Sequence, residues 1–338
     1  MTEIPDQDIE ASITADDVAA LAGVSRWTVA RAFKKDASIS RKSRDKVMAA
    51  AEKLGYAPDL LAASLASDRS NLVALITNDF NNPHKLVLLE RLTRTLWSHG
   101  WGTLLVHMSD SDDASAALLA ASQRRVDAAV MMGTRFDDKV LETALGARRV
   151  KKLVIFARYS PNPNTLTISC DDVLAMREIS DHLLTKSIRR PHYIAGPNTQ
   201  SAKLQRKESF ARYWAEATGA EVPVTYTSGY DFNAAIEAVM QIFGETPREV
   251  WPDALVCEND ILAIGAMDAL RYRFGLDVPR DVAVTGFDDI PLAASPAYNL
   301  TTYRQPITEM CLKLLEILDS KRSDSVFVPG RFVTRTSS

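Results

Sequence analysis

Two periodicities divide the chain. From Thr14 to Leu54 apolar residues recur at helical spacing: Val18, Ala19, Leu21 and Ala22, then Val29 with Ala32 or Phe33, then Val47, Ala50, Ala51 and Leu54. This predicts three helices. Thr14 and Asp17 form a capping pair for the first, which Gly23 stops. Ser25 caps the second, which turns Arg26, Trp27, Thr28 and Arg31 away from its apolar side. Ser40 caps the third and Gly55 ends it. After Pro58 a short apolar stretch, Leu60 to Ala66, leads into a polar linker, Ser67 to Asn71.

Beyond the linker short apolar runs alternate with helical patterns. Strands are predicted over Leu72–Thr77, Gly102–Val106, Ala128–Met132, Leu153–Phe156, His192–Ala195, Ala254–Cys257 and Val282–Thr285. Helices are predicted over Leu86–His99, Ala114–Gln123, Val173–Leu184, Lys203–Ala217, Ala234–Phe243 and Ile261–Phe274. The expected class is an all-α helix-turn-helix headpiece followed by an α/β core. So many βα units exceed one sheet, so the core divides into two doubly wound parallel-sheet subdomains with a cleft between them.

Composition narrows the function. At 338 residues the chain holds two or three domains, and its 46% hydrophobic and 25% charged residues are those of a globular protein. No apolar run is long enough to span a bilayer, and the acidic, polar Met1 to Glu10 does not read as a secretory signal, so a cytoplasmic protein is expected. The three cysteines, Cys170, Cys257 and Cys311, lack metal or redox spacing and read as small buried hydrophobes. No cofactor or metal is expected, and no catalytic residue. There is no Gly-x-Ser-x-Gly elbow, phosphate loop or dinucleotide fingerprint, and the five histidines are scattered. The net charge of −3 conceals a basic stretch: Arg26, Arg31, Lys34, Lys35, Arg41, Lys42, Arg44 and Lys46 face only Asp36 and Asp45. A concentrated basic segment in an acidic chain suggests a nucleic-acid surface once a motif accompanies it.

The motif is present. Thr14-Ala15-Asp16-Asp17-Val18-Ala19-Ala20-Leu21-Ala22-Gly23-Val24-Ser25, continuing Trp27-Thr28-Val29-Ala30-Arg31, resembles the headpiece of the lactose-repressor (LacI/GalR) family. Ile39-Ser40 and Leu54-Gly55-Tyr56-Ala57-Pro58 resemble it too, as do Ala195-Gly196-Pro197, Asn259-Asp260, Gly286-Phe287-Asp288-Asp289 and Leu300-Thr301-Thr302-Tyr303-Arg304-Gln305-Pro306, in the family's order. The resemblance implies a transcriptional regulator, in most cases a repressor, that binds a pseudo-palindromic operator in double-stranded DNA as a homodimer. A small-molecule effector, such as a sugar, sugar acid or sugar phosphate, sits between the core subdomains. The implied division is a disordered tail at 1–12, a headpiece at 13–58, a hinge helix and linker at 59–70 and a core at 71–338. Within the core an N-subdomain takes about 71–168 and 303–324, and a C-subdomain about 169–302 and 325–338. With the chain ending at Ser338 and no leucine heptad after Thr336, a dimer is expected over a tetramer.

Residue by residue, the resemblance implies DNA contacts from Thr14, Ser25, Arg26, Trp27, Thr28, Arg31, Lys34, Lys35, Arg44, Tyr56 and Leu65. Arg31 has the geometry to chelate a guanine, Lys34, Lys35 and Arg44 suit phosphates, and Leu65 stands where the family wedges the minor groove. Trp27 reads either as a base contact or as part of the headpiece core. Effector contacts are implied for Asn82, His84, Arg158, Arg206, Tyr230, Asn259, Asp288 and Gln305. Some positions depart from the pattern. Asp59 replaces the usual asparagine and Leu60 a frequent basic residue of the hinge. His84-Lys85 follows Asn82-Pro83 where aromatic residues are common, and Ala157 precedes Arg158 where many members carry aspartate. Lys85, Arg158 and Arg206 either converge on an anionic ligand, or Lys85 points to solvent. Three other readings stay open: an enzyme, a transport binding protein, and a regulator that senses a partner protein.

Overall fold

The computed structural model describes residues 13–34, 37–59, 69–78, 80–108, 114–133, 150–198, 203–244 and 247–338. The chain forms two compact units, residues 1–70 and 71–338.

In the first unit α1 (Ala15–Ala22), α2 (Arg26–Ala32) and α3 (Arg41–Leu54) start and stop where the capping residues require. Thr14 and Asp17 make a reciprocal box: the Thr14 amide donates to Asp17 Oδ2 at 2.8 Å and the Asp17 amide to Thr14 Oγ1 at 3.3 Å. Ser25 accepts from the Thr28 amide and Ser40 from the Ser43 amide. Gly23 and Gly55 end α1 and α3 at φ 65° and 67°, a left-handed conformation that glycine adopts without a Cβ clash. Val18, Val29 and Val47, one from each helix, are nearly inaccessible and pack with Ala19, Ala32, Ala50 and Ala51. Such small side chains let short helices approach closely.

The second unit contains two parallel sheets. Strands β1 (Leu72–Thr77), β2 (Gly102–His107), β3 (Ala128–Met132), β4 (Leu153–Phe156), β5 (Leu166–Cys170) and β11 (Val326–Val328) run in the order β11-β5-β4-β3-β1-β2. Strand β1 is apolar up to Thr77 because both faces are covered. Val73 and Leu75 enter the cluster built with α4 (His84–Ser98) and α10 (Ile307–Leu318), while Ala74 and Ile76 enter the one beneath α5 (Ala114–Gln123). Strand β2, at the edge, alternates half-buried with exposed positions.

The second sheet, ordered β7-β6-β8-β9, consists of β6 (Pro191–Ala195), β7 (Val224–Tyr226), β8 (Ala254–Cys257) and β9 (Ala283–Thr285). Ile194, Leu255 and Cys257 face α8 (Phe232–Gly244) and α9 (Asp260–Arg273). Tyr193, Ala195, Ala254 and Val256 face α6 (Asp172–Thr185) and α7 (Arg206–Thr218), where the stacked Phe210 and Trp214 rings lie 5.7 Å apart. A short antiparallel pair, β10 (Thr302–Arg304) with β12 (Arg331–Val333), adjoins this sheet through bridges from Thr301 to Thr285 and from Arg304 to Asp288.

The expected subdomain boundary needs correction. Placing 325–338 wholly with the second sheet fails because Val326–Val328 pairs with Ile168–Cys170 and completes the first sheet. The chain therefore returns to the second sheet only at β12. Helix α10 was not anticipated either, although Met310, Cys311, Leu314, Leu315 and Leu318 bury one helical face. All three cysteines are free and buried, as expected. Among the described residues no helix is long and apolar enough to cross a membrane.

Candidate functional site

Two surfaces carry the chemistry, one in each unit. In the headpiece the cap at Ser25 fixes the start of α2, and the burial of Val29 and Ala32 fixes its rotation. Ser25, Arg26 and Trp27 are thereby left in solvent, and Trp27 keeps 66% of its surface exposed. Of the two readings of Trp27, packing into the headpiece core is thus not what is seen. Arg31 lies one turn on, its guanidinium 4.2 Å from the Trp27 ring centroid, and it donates to the Ser38 carbonyl. Arg26 reaches Asp16 at 3.4 Å, an exposed pair of little energetic weight. Thr28 Oγ1 lies 2.9 Å from Ser25 Oγ, Thr14 serves as the cap of α1, and Lys34 is exposed.

Arg44 and Tyr56 are placed differently from the expectation. Arg44 donates to the carbonyls of Ala32, Lys34 and Ala37 at 2.9, 3.2 and 3.3 Å, and so binds the end of α2 and the following loop to α3. Its guanidinium acts as a strut, which leaves Lys34 better placed than Arg44 for a phosphate. Tyr56 sets its ring edge-on to Phe33 with centroids 5.8 Å apart, closing the base of the headpiece core. Lys35, Leu65 and the rest of the expected hinge helix beyond Asp59 lie outside the described residues.

In the core the expected effector residues separate into two adjoining groups. Arg158 and Tyr230 line a cavity of about 550 Å³ together with Tyr159, Asn198, Lys203, Gln205, Lys207, Arg212, Tyr226 and Glu258. Tyr230 donates to Glu258 Oε2 at 2.7 Å, the Gly196 amide donates to the same oxygen at 2.6 Å, and Arg158 stands 5.3 Å from the Tyr230 ring centroid. Burial, the largest influence, raises the Tyr230 pKa, so the phenol remains a donor. Gly196 permits this approach, since a Cβ there would come within 2.1 Å of the Tyr230 ring.

The second group lies in the crossing between the sheets. Gln305 Nε2 donates to Asp288 Oδ1 at 2.7 Å and lies 3.1 Å from His84 Nε2, which is itself 3.7 Å from Asp288. His84 is 4% exposed. Burial lowers its pKa against the opposing pull of Asp288, aided by the positive charges of Lys85 and Arg206. The imidazole is therefore neutral, and accepting from Gln305 at Nε2 puts its proton on Nδ1. His84 Nδ1 and Gln305 Oε1 are buried without a hydrogen-bond partner. Asn82 Oδ1 accepts from the His84 amide, and Lys85 is buried, which excludes the solvent-facing reading of that lysine.

Arg206 is 3% exposed and held through two of its three guanidinium nitrogens. It donates to Asp172 Oδ1 at 2.9 Å and to the Glu258 carbonyl at 2.8 Å, and lies flat over Phe287 at 3.5 Å. Burial alone would lower its pKa, but the carboxylates of Asp172 and Asp288 outweigh that and raise it. Asn259 caps α9 by accepting from the Leu262 amide at 3.0 Å. Buried Asp260 accepts from Thr302 Oγ1 and the Ile290 amide, and burial, followed by Asp288, raises its pKa. Asp172 and Glu258 were not among the expected residues. Both follow a strand end, where open α/β sheets bind ligands, and that position was the available signal.

The comparisons agree with this anatomy. Residues 14–59 match the model of bacterial regulatory proteins of the lacI family, and residues 180–338 match a periplasmic binding protein-like domain. The ribose operon repressor of Escherichia coli (strain K12) is 29% identical over 314 residues, covering 90% of this chain and 92% of that protein. The HTH-type transcriptional regulator DegA of Bacillus subtilis (strain 168) is also 29% identical, covering 87% of each. A LacI transcriptional regulator from a Rhodococcus species superposes with a TM-score of 0.69 at 26% identity, over 79% of this chain and 98% of that one. The lac repressor dimer bound to operator and the anti-inducer ONPF shares the fold, with a TM-score of 0.81 at 23% identity over 96% of this chain and 98% of that one. The chain thus carries a DNA-binding domain of the lacI family of bacterial regulatory proteins followed by a periplasmic binding protein-like domain.

Proposed function

We propose that this protein is a transcriptional repressor whose affinity for an operator is set by a small polar ligand held in the core cavity. The observation that carries the proposal is the pairing, in one chain, of a capped helix presenting Ser25, Arg26 and Trp27 to solvent, with half-buried Arg31 beside Trp27, and a polar cavity at strand ends. Helix α2 enters the major groove with Arg31 and Trp27 toward base edges and Lys34 toward a phosphate. The protein acts as a homodimer on an inverted repeat in the cytoplasm, as a binding protein without catalytic machinery. The relatives' names, ribose operon repressor among them, support a sugar or sugar derivative as effector.

The cavity, of about 550 Å³, lies within the ordinary range of small-molecule sites. Arg158, Tyr230 and Glu258 supply fixed donors and acceptors for hydroxyl groups. Behind them, His84, Asp288, Gln305 and Arg206 join segments of both subdomains, so a ligand that alters the cavity wall alters the crossing. Ligand changes DNA affinity only through unequal affinity for the two subdomain arrangements.

Selection of bound fragments from a random DNA pool by the purified chain tests the DNA half. An inverted repeat is expected, and an unenriched pool would refute the reading. Small-molecule control is tested by thermal shift of the same protein against sugars and their acids and phosphates. A true ligand raises the unfolding temperature by mass action.

A further inference from the structure

The cavity wall is charged in a way that the expected effector residues did not foretell. Of the cations first considered for an anionic ligand, Arg206 is bonded to Asp172 and the Glu258 carbonyl, and both it and Lys85 are buried outside the cavity lining. A different set lines the space. Lys203 precedes α7, Lys207 and Arg212 lie on it, and Arg158 comes from the end of β4 on the first sheet.

Two carboxylates share the lining, and both are occupied. Glu208 pairs with Lys207 at 3.1 Å, while Glu258 Oε2 accepts from the Gly196 amide and Tyr230. Lys203 and Arg212 face no carboxylate within ion-pair distance among the described residues. With Lys207 and both carboxylates engaged, Lys203 and Arg212 leave the wall in positive excess. Tyr226 borders the same space as a half-exposed ring, its hydroxyl held by Lys207 at 2.6 Å, and offers a stacking face beside the charges.

We infer that the effector is an anionic sugar whose phosphate or carboxylate is held by Lys203 and Arg212 while its hydroxyl groups meet Arg158, Tyr230 and Glu258. This rests on the reading of the cavity as the effector site and names the chemical class it takes. Paired cations around one oxyanion make charge-assisted hydrogen bonds, about twice as strong as neutral ones. A neutral sugar would leave this positive excess uncompensated.

The full chain tests this by calorimetric titration with inorganic phosphate, glucose 6-phosphate, gluconate and glucose. It is applied to the wild type, the doubly neutralised Lys203→Gln/Arg212→Gln protein and the conservative Lys203→Arg/Arg212→Lys protein. The anionic probes should bind the wild type, with glucose 6-phosphate and gluconate separating phosphate from carboxylate preference. Neutralisation should weaken them about tenfold or more, and the conservative pair should restore binding. Because both side chains reach solvent, circular dichroism should show all three proteins equally folded. Binding of glucose as tight as that of its phosphate, equal anion affinity in the neutralised protein, or no binding of any anion would overturn the inference. The first two outcomes leave ligand control of the operator standing; only an operator affinity blind to every small molecule removes it.

Discussion

Gln305 and His84, 221 residues apart in sequence, meet at 3.1 Å in the crossing between the two sheets. Gln305 follows β10 beside the second sheet, and His84 opens α4 on the first. Together with Asp288 they form a buried polar link between the subdomains. A change of subdomain arrangement must stretch or exchange these bonds. Gln305→Leu removes the amide that serves both partners and leaves Asp288 buried without that donor. A loss of about 1–3 kcal/mol in core stability is expected by urea unfolding. An unchanged midpoint would show that the contact bears no load.

Arg44 gives a prediction that separates fold from DNA contact. With three carbonyls relying on its guanidinium, Arg44→Ala should destabilise the headpiece by about 1–3 kcal/mol, seen as a lower-temperature transition in calorimetry of the full chain. Lys34→Ala should leave that transition in place and weaken specific and random DNA alike. A residue that only touched phosphate would leave the headpiece transition unmoved in the Arg44 variant.

On α2, Arg31→Ala should cost about 1–3 kcal/mol on the selected operator and much less on random DNA. Because Arg31 lies over Trp27, Trp27→Ala should reduce operator affinity and loosen Arg31 as well. A double-mutant cycle by anisotropy should then show coupling between the two. Strict additivity would mean that they act separately.

Acid sensitivity follows from one buried imidazole, His84, and two half-buried ones, His182 and His192. Burial lowers the pKa of His84 and His182 and brings that of His192 to about 4 from 6.5. Below pH 6.5 the unfolded chain binds protons that the native state refuses, so the stability these groups contribute falls as pH drops toward about 4. Buried Asp260, with its pKa raised, acts in the opposite direction. Comparing wild type with His192→Gln isolates one group. The wild type should lose stability relative to the variant as pH falls through this window, and a parallel pH profile would contradict the assignment.

Gly196 tests the cavity wall. A Cβ would meet the Tyr230 ring at 2.1 Å, so Gly196→Ala should displace the ring and break its bond to Glu258. Overpacking of this kind costs about 1–3 kcal/mol, and the thermal shift from any cavity ligand should vanish with it. A wild-type shift in the variant would place the ligand elsewhere.

Much of this architecture was legible in the chain because its local signals agree. Leu72–Thr77, Ala128–Met132 and Ala254–Cys257 are short apolar runs covered on both faces, and the headpiece caps at Thr14, Ser25, Ser40, Gly23 and Gly55 act within one turn. What escaped depends on distant partners. Leu166–Cys170 alternates apolar residues with Thr167 and Ser169, both buried, and Val326–Val328 is three residues whose sheet is chosen by β5. The site divides in the same way. Arg206 was visible as a cleft cation, but its anchors, Asp172 and the Glu258 carbonyl, lie far off in sequence and left no local signal. Of the cations that face the cavity, Lys207 and Arg212 follow from how α7 packs, which no local pattern records.

The most direct test of ligand control is the reciprocity of linkage. Operator affinity is measured by anisotropy of labelled DNA with and without saturating ligand from the thermal screen. Ligand affinity is then measured by calorimetry with and without saturating operator. The account predicts that ligand shifts operator affinity and that operator shifts ligand affinity by the same factor. An operator affinity that stays the same when the cavity is filled would contradict it.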